Sequence, residues 1–565
     1  MLTGKPSSST QTNPQSQIEL KAPPSSDQAS TVGSRTNIVR SAGIVSIAVM
    51  GSRILGLIRE QMIAYLFGST AVTDAFYAAF QIPNLMRDLF GEGILSKAFV
   101  TTFTSTAVED SEEAAWDLAN RVFSGISVLL VVITLVGILA APYFINLIYL
   151  GQGFDLALEP NQHFGFTSKR QLTIFLTRVM FPFLLLVSLA AIAMGLLNSK
   201  GRFGIPAAAS SFFNLSTILI GITGFFLFPK IGWHPVTGLA LGVLVGGGLQ
   251  FLVQVPSMWQ VGFRFRPVFN FVDARVRQVI GLVIPAILGV AAVQINVMVN
   301  GMFASVGENW LSWIKWSFRL MHLPIGVFGV AISTVSLPNF ARHLAEGRID
   351  LFRQSYRKSL ELVLLLTIPA SAGLMVLAEP ICRLIYGIGK NAGHTTPIAT
   401  ALFFYAFGLC AYSALKITTD GFYAHNDTKT PVSVSLLSVV INIILNYVFI
   451  LRLGLDHRSL AISTASTITL NFLLLLWLLN RRVDGLGLRS LPSLVLRLLL
   501  AATVMGLVCI WSNHWIESLI GIEGLTPRLI GVFVPIGLGL SILLIICRLL
   551  RIEALDDLLQ VLRRR

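Results

Sequence analysis

The chain has 565 residues, 54% of them hydrophobic and only 12% charged, with a net charge of +14 and a mean hydropathy of +0.74. Soluble domains carry about twice that charge fraction, so a water-soluble globular protein is excluded. The basic balance could suggest nucleic acid, but Lys and Arg fall in alternate loops between apolar runs, which is the pattern of membrane sidedness.

Residues 1 to 40 are rich in Ser, Thr, Gln and Pro and have no apolar face to bury, so they are expected to be a disordered cytoplasmic tail. No short apolar core with a small-residue cleavage site precedes the first long apolar run, which is expected to serve as the insertion signal. Runs near the ~20 residues needed to cross hydrocarbon predict helices over 42–67, 74–105, 119–149, 171–197, 205–229, 236–260, 276–304 and 309–340. Six more are predicted over 355–377, 396–422, 431–452, 458–480, 491–513 and 527–549, which makes fourteen transmembrane helices in an all-α polytopic protein. Charge and Pro interrupt the second and eighth, as spanning helices tolerate where they line a cavity or pack inside protein.

Sidedness orients the bundle. With the N-terminus inside, Lys200 and Arg202, then Arg264, Arg266, Arg275 and Arg277, share one side with Arg342, Arg348, Arg353, Arg357 and Lys358. Arg481, Arg482, Arg489 and the basic tail 550–565, ending Arg563, Arg564, Arg565, fall there too. The opposite loops are poorer in Lys and Arg, so both termini are expected in the cytoplasm. Cys382, Cys410, Cys509 and Cys547 are scattered without metal spacing and read as small core residues. His163, His234, His394, His457 and His514 fall in outside-facing loops and read as solvated. GIGK at 387–390 lacks the upstream Gly and trailing Ser or Thr of a phosphate loop, so no ATP hydrolysis, and no enzyme, is expected.

The exception to the apolar pattern is Arg53, Arg59, Glu60, Asp74, Arg87, Asp88 and Glu92, seven ionisable residues in the first two spans. One charge at a helix centre costs roughly 2.5 to 3.5 kcal/mol, so such a cluster faces water, a partner or a substrate. Arg53, Gly56 and Glu60 fall on one helical stripe, with Arg59 on the adjoining face. Pro83 should kink the second span before Arg87, and Asp88 and Glu92 repel unless a cation such as Arg59 or Lys97 lies between them.

An internal duplication sharpens this. ILG at 54–56 and FGS at 67–69 return as ILG at 287–289 and FAS at 303–305, and LFGEGILSKAFV at 89–100 corresponds to VFGVAISTVSLP at 327–338. GLLNSKGRFGIP at 195–206, ahead of Asn214, corresponds to GFYAHNDTKTP at 421–431, ahead of Asn442. Two six-helix lobes related by a pseudo-two-fold repeat follow, with a substrate site expected at their interface. The second copy has Val330 in place of Glu92 and keeps Lys315 and Arg319 but no comparable cluster, so the charges serve a task of the first lobe. A structural ion-pair network would balance its charges. The excess of Arg points instead to an anionic substrate, since guanidinium offers a planar fork of donors to phosphate oxygens.

The segment 51–100, GSRILGLIREQMIAYLFGSTAVTDAFYAAFQIPNLMRDLFGEGILSKAFV, closely resembles the opening helices of the MurJ (MviN) lipid II flippases. The resemblance continues through PAILGVAAVQINVMVNGMFAS at 285–305, RLMHLPIGVFGVAI at 319–332 and GFYAHNDTKTPV at 421–432. It implies the multidrug/oligosaccharidyl-lipid/polysaccharide exporter fold, with an N-lobe over 41–260, a C-lobe over 261–485 and two further helices over 486–549 that offer a lipid-tail groove. The implied function is flipping of lipid II from the inner to the outer leaflet of the bacterial cytoplasmic membrane, with membrane lipid and other wall-synthesis proteins as partners. A flippase for another lipid-linked oligosaccharide and a cation-coupled multidrug exporter are the alternatives.

Carried over by position, the family's cavity arginines match Arg53, Arg59, Arg87 and Arg319, its second-helix aspartate matches Asp74, and Glu60 and Glu92 belong to the supporting network. Asp88 stands where a second basic residue is common, and Phe318 and His322 stand where some relatives have acids. Some members bind sodium in the second lobe. Asn442 and Asn446 fit part of that pattern, although one Asn replaces an Asp. The expected energy source is Na+ or the membrane potential, with no other cofactor.

Overall fold

A computed structural model describes residues 26–90, 94–158, 164–268 and 273–556. The first half is built from α1 (Ser26–Phe67), α2 (Ala71–Phe90), α3 (Ile94–Glu109), α4 (Glu112–Ile148), α5 (Lys169–Met180), α6 (Phe183–Ser199), α7 (Gly204–Leu227), α8 (Thr237–Leu252) and α9 (Val255–Gln260). The second half has α10 (Ala274–Ala304), α11 (Trp310–Pro324), α12 (Val330–Ala345), α13 (Ile349–Val376), α14 (Ala378–Tyr386), α15 (Thr396–Phe407), α16 (Leu409–Ala424), α17 (Lys429–Asn446) and α18 (Arg458–Arg482). A final hairpin is formed by α19 (Leu491–Ile520) and α20 (Leu525–Leu549). Among the described residues the β-structure is one isolated bridge, Ala157 to Ser168.

Ten helical spans are long and apolar enough to cross a membrane, or eleven when α15 and α16, bent by 42°, count as one. The chain is therefore a multi-pass membrane protein. Joined across their breaks, the helices follow the fourteen predicted spans in order. The first, second and seventh, formed by α1, α2 with α3, and α10, are not among the spans that meet the apolar test over the described residues.

Two local departures have physical causes. Helix α1 begins at Ser26, so residues 26–40 are helical where a disordered tail was expected. Once an apolar helix is nucleated it extends at one hydrogen bond per residue until a breaker stops it, and Pro23 and Pro24 are the nearest ones upstream. The second predicted span is two helices, α2 and α3, and its Gly91, Glu92 and Gly93 lie outside the described residues. Two π-helical turns, Ile325–Gly329 and Tyr447–Arg452, extend α11 and α17.

The pairings of the first half recur in the second. α1 packs on α7 as α10 packs on α17, α2 on α5 as α11 on α15, and α3 on α6 as α12 on α16. α7 packs on α8 as α17 packs on α18, and α4 on α6 as α13 on α16. This is the arrangement a duplicated six-helix unit requires. The α19–α20 hairpin leans on α13 and α14, outside the repeat.

Close approach is built with glycine. A Cβ added to Gly224 of α7 would lie 2.5 Å from the Gly238 Cα of α8, so these helices touch backbone to backbone. Between the lobes, a Cβ on Gly151 would lie 2.3 Å from the Ser305 carbonyl carbon, and the Gly151 N–H donates to Ser305 Oγ at 2.9 Å. We expect Gly151→Ala to lower stability by about 1–3 kcal/mol, the usual range for overpacking against a backbone that must shift. Thermal unfolding in detergent checks it; a wild-type melting curve contradicts the stated contact.

The four cysteines are free, with Cys382, Cys509 and Cys547 buried, consistent with core residues. GIGK serves as a joint. A Cβ on Gly389 would lie 2.3 Å from the Tyr65 carbonyl oxygen, and the Lys390 ammonium sits 5.0 Å from the Phe225 ring centroid. The histidines divide. His394 and His514 are exposed as expected and His163 lies outside the described residues, but His234 and His457 are buried. The loops carrying them fold back onto aromatic side chains. The His457 ring lies 4.9 Å from that of Trp313, with Nε2 2.9 Å from the Pro397 carbonyl, and Phe164 stacks edge-on to His234.

A candidate anion site between the lobes

The stripe on α1 forms as its spacing demands. Glu60 is buried and acts as a hub: Arg59 Nη2 donates to its Oε1 at 2.6 Å, Arg319 Nη1 of α11 donates to the same oxygen at 3.2 Å, and the Tyr77 hydroxyl donates to Oε2. Trp316 Nε1 in turn donates to Tyr77 Oη at 2.7 Å. Arg59 also donates to Asn214 Oδ1 at 3.2 Å, and Asn214 Nδ2 donates back to the Ser52 carbonyl at 3.1 Å. Gly56 leaves room for this crossing, since a Cβ there would lie 2.8 Å from Arg319 Nη2.

The remaining arginines approach the same seam. Arg53 is exposed and lies against Gly326, where a Cβ would come within 2.9 Å of its Nη1. Arg53 has no carboxylate partner among the described residues. Arg87 of α2 pairs with its neighbour Asp88 at 2.8 Å, and Asp88 Oδ2 accepts from Gln294 Nε2 of α10 at 2.9 Å. Asp88 thus has Arg87 as an adjacent partner, while the predicted bridge between Asp88 and Glu92 involves Glu92 and the Lys97 side chain, which lie outside the described residues.

Asp74 stands apart from the arginines. Its Oδ2 accepts from Lys169 Nζ of α5 at 2.8 Å with both side chains fully buried, and its Oδ1 accepts from the Ser312 backbone N–H at 2.8 Å. The carboxylate therefore caps the N-terminus of α11 from the other lobe, where the N-cap residue Asn309 supplies no side-chain bond. Lys169, read from sequence as a loop residue, is its buried partner and also lies 4.2 Å from the Phe154 ring centroid. Lys169, Tyr77, Asn214, Gln294 and Trp316 were not singled out from sequence as members of this site. The one available signal was a Lys at the start of an apolar helix with no paired acid nearby.

Asn442 and Asn446 do come together, but as amides bonded to amides. Asn446 Nδ2 donates to Asn442 Oδ1 and to Asn300 Oδ1, each at 3.0 Å, while Asn446 Oδ1 accepts from Ser463 Oγ. A donor nitrogen thus sits among the oxygens that a cation would need, and a hard cation prefers carboxylate and carbonyl oxygens. No group of three His, Cys, Asp or Glu able to hold a metal occurs among the described residues. These bonds tie α10, α17 and α18 together as a polar helix-packing network.

Charge defines what the seam can hold. Arg53, Arg59, Arg87 and Arg319 outnumber the two described carboxylates of the seam, Glu60 and Asp88, in a protein that spans a membrane. Such a surface attracts an anion with several oxygens, and the contacts Arg319 to Glu60, Gln294 to Asp88 and Arg53 against Gly326 make it a property of both lobes together.

Fold and site together define a two-lobed multi-pass membrane protein with an arginine-rich seam between its lobes. A multidrug-resistance MATE transporter of the MOP superfamily in an inward-facing conformation superposes with a TM-score of 0.63 at 14% identity, over 80% of this chain and 99% of that one, which shows the fold. The sequence model described as "Lipid II flippase MurJ" matches residues 63–528, and the chain belongs to this family. It is 33% identical over 521 residues to a "Probable lipid II flippase MurJ" of Vibrio cholerae serotype O1, covering 92% of this chain and 97% of that one. It is 33% identical over 456 residues to a "Lipid II flippase MurJ" of Burkholderia cenocepacia, covering 79% and 84%. A solved lipid II flippase MurJ in an inward closed conformation matches with a TM-score of 0.71 at 25% identity, over 89% of this chain and 98% of that one.

Proposed function

We propose that this chain moves lipid II, a polyprenyl-diphosphate-linked disaccharide pentapeptide, from the inner to the outer leaflet of the bacterial cytoplasmic membrane, with both termini in the cytoplasm. The observation that carries the proposal is the arginine excess at the seam between the lobes, which suits a diphosphate and repels the organic cations of a multidrug exporter. Family membership gives the substrate its name.

The lobes alternate access. A diphosphate on Arg53, Arg59, Arg87 and Arg319 offsets their mutual repulsion and so favours closure of the seam; opening at the far end releases it. In the structure α10 touches the first lobe at both ends, through Arg275 with Asp110 and through Ser305 with Gly151. One set of contacts must part in each half of the cycle. The lipid tail stays in the membrane. An apolar cavity of about 250 Å3 between α13, α19 and α20, lined by Leu365, Pro369, Met505, Ile536 and Leu543, supports a tail groove there.

Arg87→Ala should abolish growth support in a cell depleted of its own lipid II flippase, while membrane fractionation shows the variant inserted at the normal level. Full complementation by that variant would sink the proposal.

A further inference from the structure

Next to the arginine seam lies a cavity of about 290 Å3. It is lined by α10, α11, α15, α16, α17 and α18 of the second lobe and bordered on the first-lobe side by Gln81 of α2. Most of the wall is apolar. Three polar side chains in it have unmet bonding capacity.

Lys315 sits one helical turn before Arg319 and lines the cavity, with no hydrogen bond or ion pair among the described residues. Gln81 and Asn471, 5% and 4% exposed, also line it. Their nitrogens are engaged, Gln81 Nε2 with the Val297 carbonyl at 3.1 Å and Asn471 Nδ2 with Ser435 Oγ at 3.4 Å, but Gln81 Oε1 and Asn471 Oδ1 are buried without a donor. A buried polar atom left unmet costs about 1–3 kcal/mol. This wall therefore presents an ammonium seeking an anion and two amide oxygens seeking N–H or O–H groups.

The occupant must supply both. A diphosphate offers acceptors only, and an acyl tail offers neither. A carboxylate beside amide or amine N–H groups, which is a peptide, satisfies all three. The volume is at the lower limit of small-ligand pockets, roughly 300 Å3, so it takes one or two residues of a larger head group. We propose that this cavity is a subsite for the carboxylate-bearing peptide of the substrate, held by Lys315, Gln81 and Asn471 while the diphosphate rests on the arginines. The proposal rests on the translocation function above and adds what the protein reads besides the phosphates.

The test uses the full-length protein in nanodiscs, titrated with lipid II, with lipid II whose peptide carboxylates are methyl esters, and with polyprenyl diphosphate alone. Lys315→Met should weaken lipid II binding about tenfold, the scale of one lost charge-assisted bond, and leave polyprenyl diphosphate unchanged. Lys315→Arg should retain binding, and wild type should bind the methyl ester as Lys315→Met binds lipid II. Lys315→Met binding lipid II normally, or weakening both probes alike, overturns the subsite. Arg87→Ala should weaken both probes; its failure to do so strikes the translocation proposal and leaves the Lys315 comparison readable.

Discussion

Glu60→Gln is expected to cost about 3–5 kcal/mol of stability, the range for removing one partner of a buried ion pair, and to eliminate transport. The side chain is 3% exposed and receives Arg59, Arg319 and Tyr77 together. The neutral amide leaves two guanidiniums facing each other across the seam, with one acceptor oxygen for three donors where the carboxylate gave two. Denaturant unfolding in micelles measures the loss. Adding Arg319→Met to Glu60→Gln should recover part of the stability, because one unpaired charge is removed, and should not recover transport, because the proposed phosphate contact of Arg319 is lost with it. A wild-type unfolding midpoint for Glu60→Gln contradicts the hub.

Asp74→Ala is expected to have a comparable effect by a different route. It strands the fully buried Lys169 ammonium and removes the cap on α11. The predicted loss is again about 3–5 kcal/mol for the broken pair, plus ~1 kcal/mol for the cap. Replacing both partners, Asp74→Asn with Lys169→Met, should be far milder than Asp74→Ala, since a neutral pair has no desolvated charge and Asn still caps. Because the bond to Ser312 joins the lobes, Asp74→Ala should also speed labelling of a Ser312→Cys variant by a membrane-impermeant thiol reagent. Unchanged labelling contradicts a tie between the lobes there.

The fold was largely legible because membrane burial writes itself as apolar runs of fixed length, and the duplication left matching segments such as ILG at 54–56 and 287–289. The stripe of Arg53, Gly56 and Glu60 was legible because helical spacing fixes which residues share a face. What could not be read was partnership across the seam. Asp74 belongs with Lys169 and the α11 terminus, 95 and 238 positions away, and nothing local marks either. Asp88 is met by Arg87 beside it, a partner that helical spacing did not single out. Side-chain direction, which decides such cases, depends on the packed neighbours and not on spacing. The same holds for His234 and His457, whose loops were polar enough to look solvated.

The glycine contact between α7 and α8 has a mechanical consequence. At Gly224 and Gly238 the two backbones meet directly, with no side chain at that crossing to change rotamer, so the pair resists sliding there. The equivalent pair α17 and α18 is joined by Asn446 and Ser463 and ends in the π-turn Tyr447–Arg452, while α15 and α16 meet at a 42° bend. Hydrogen bonds can re-pair and a bend can open or close at small cost. The duplicated halves therefore keep the same helix pairs but join them differently, by direct backbone contact at Gly224 and Gly238 in the first and through Asn446 and Ser463 in the second.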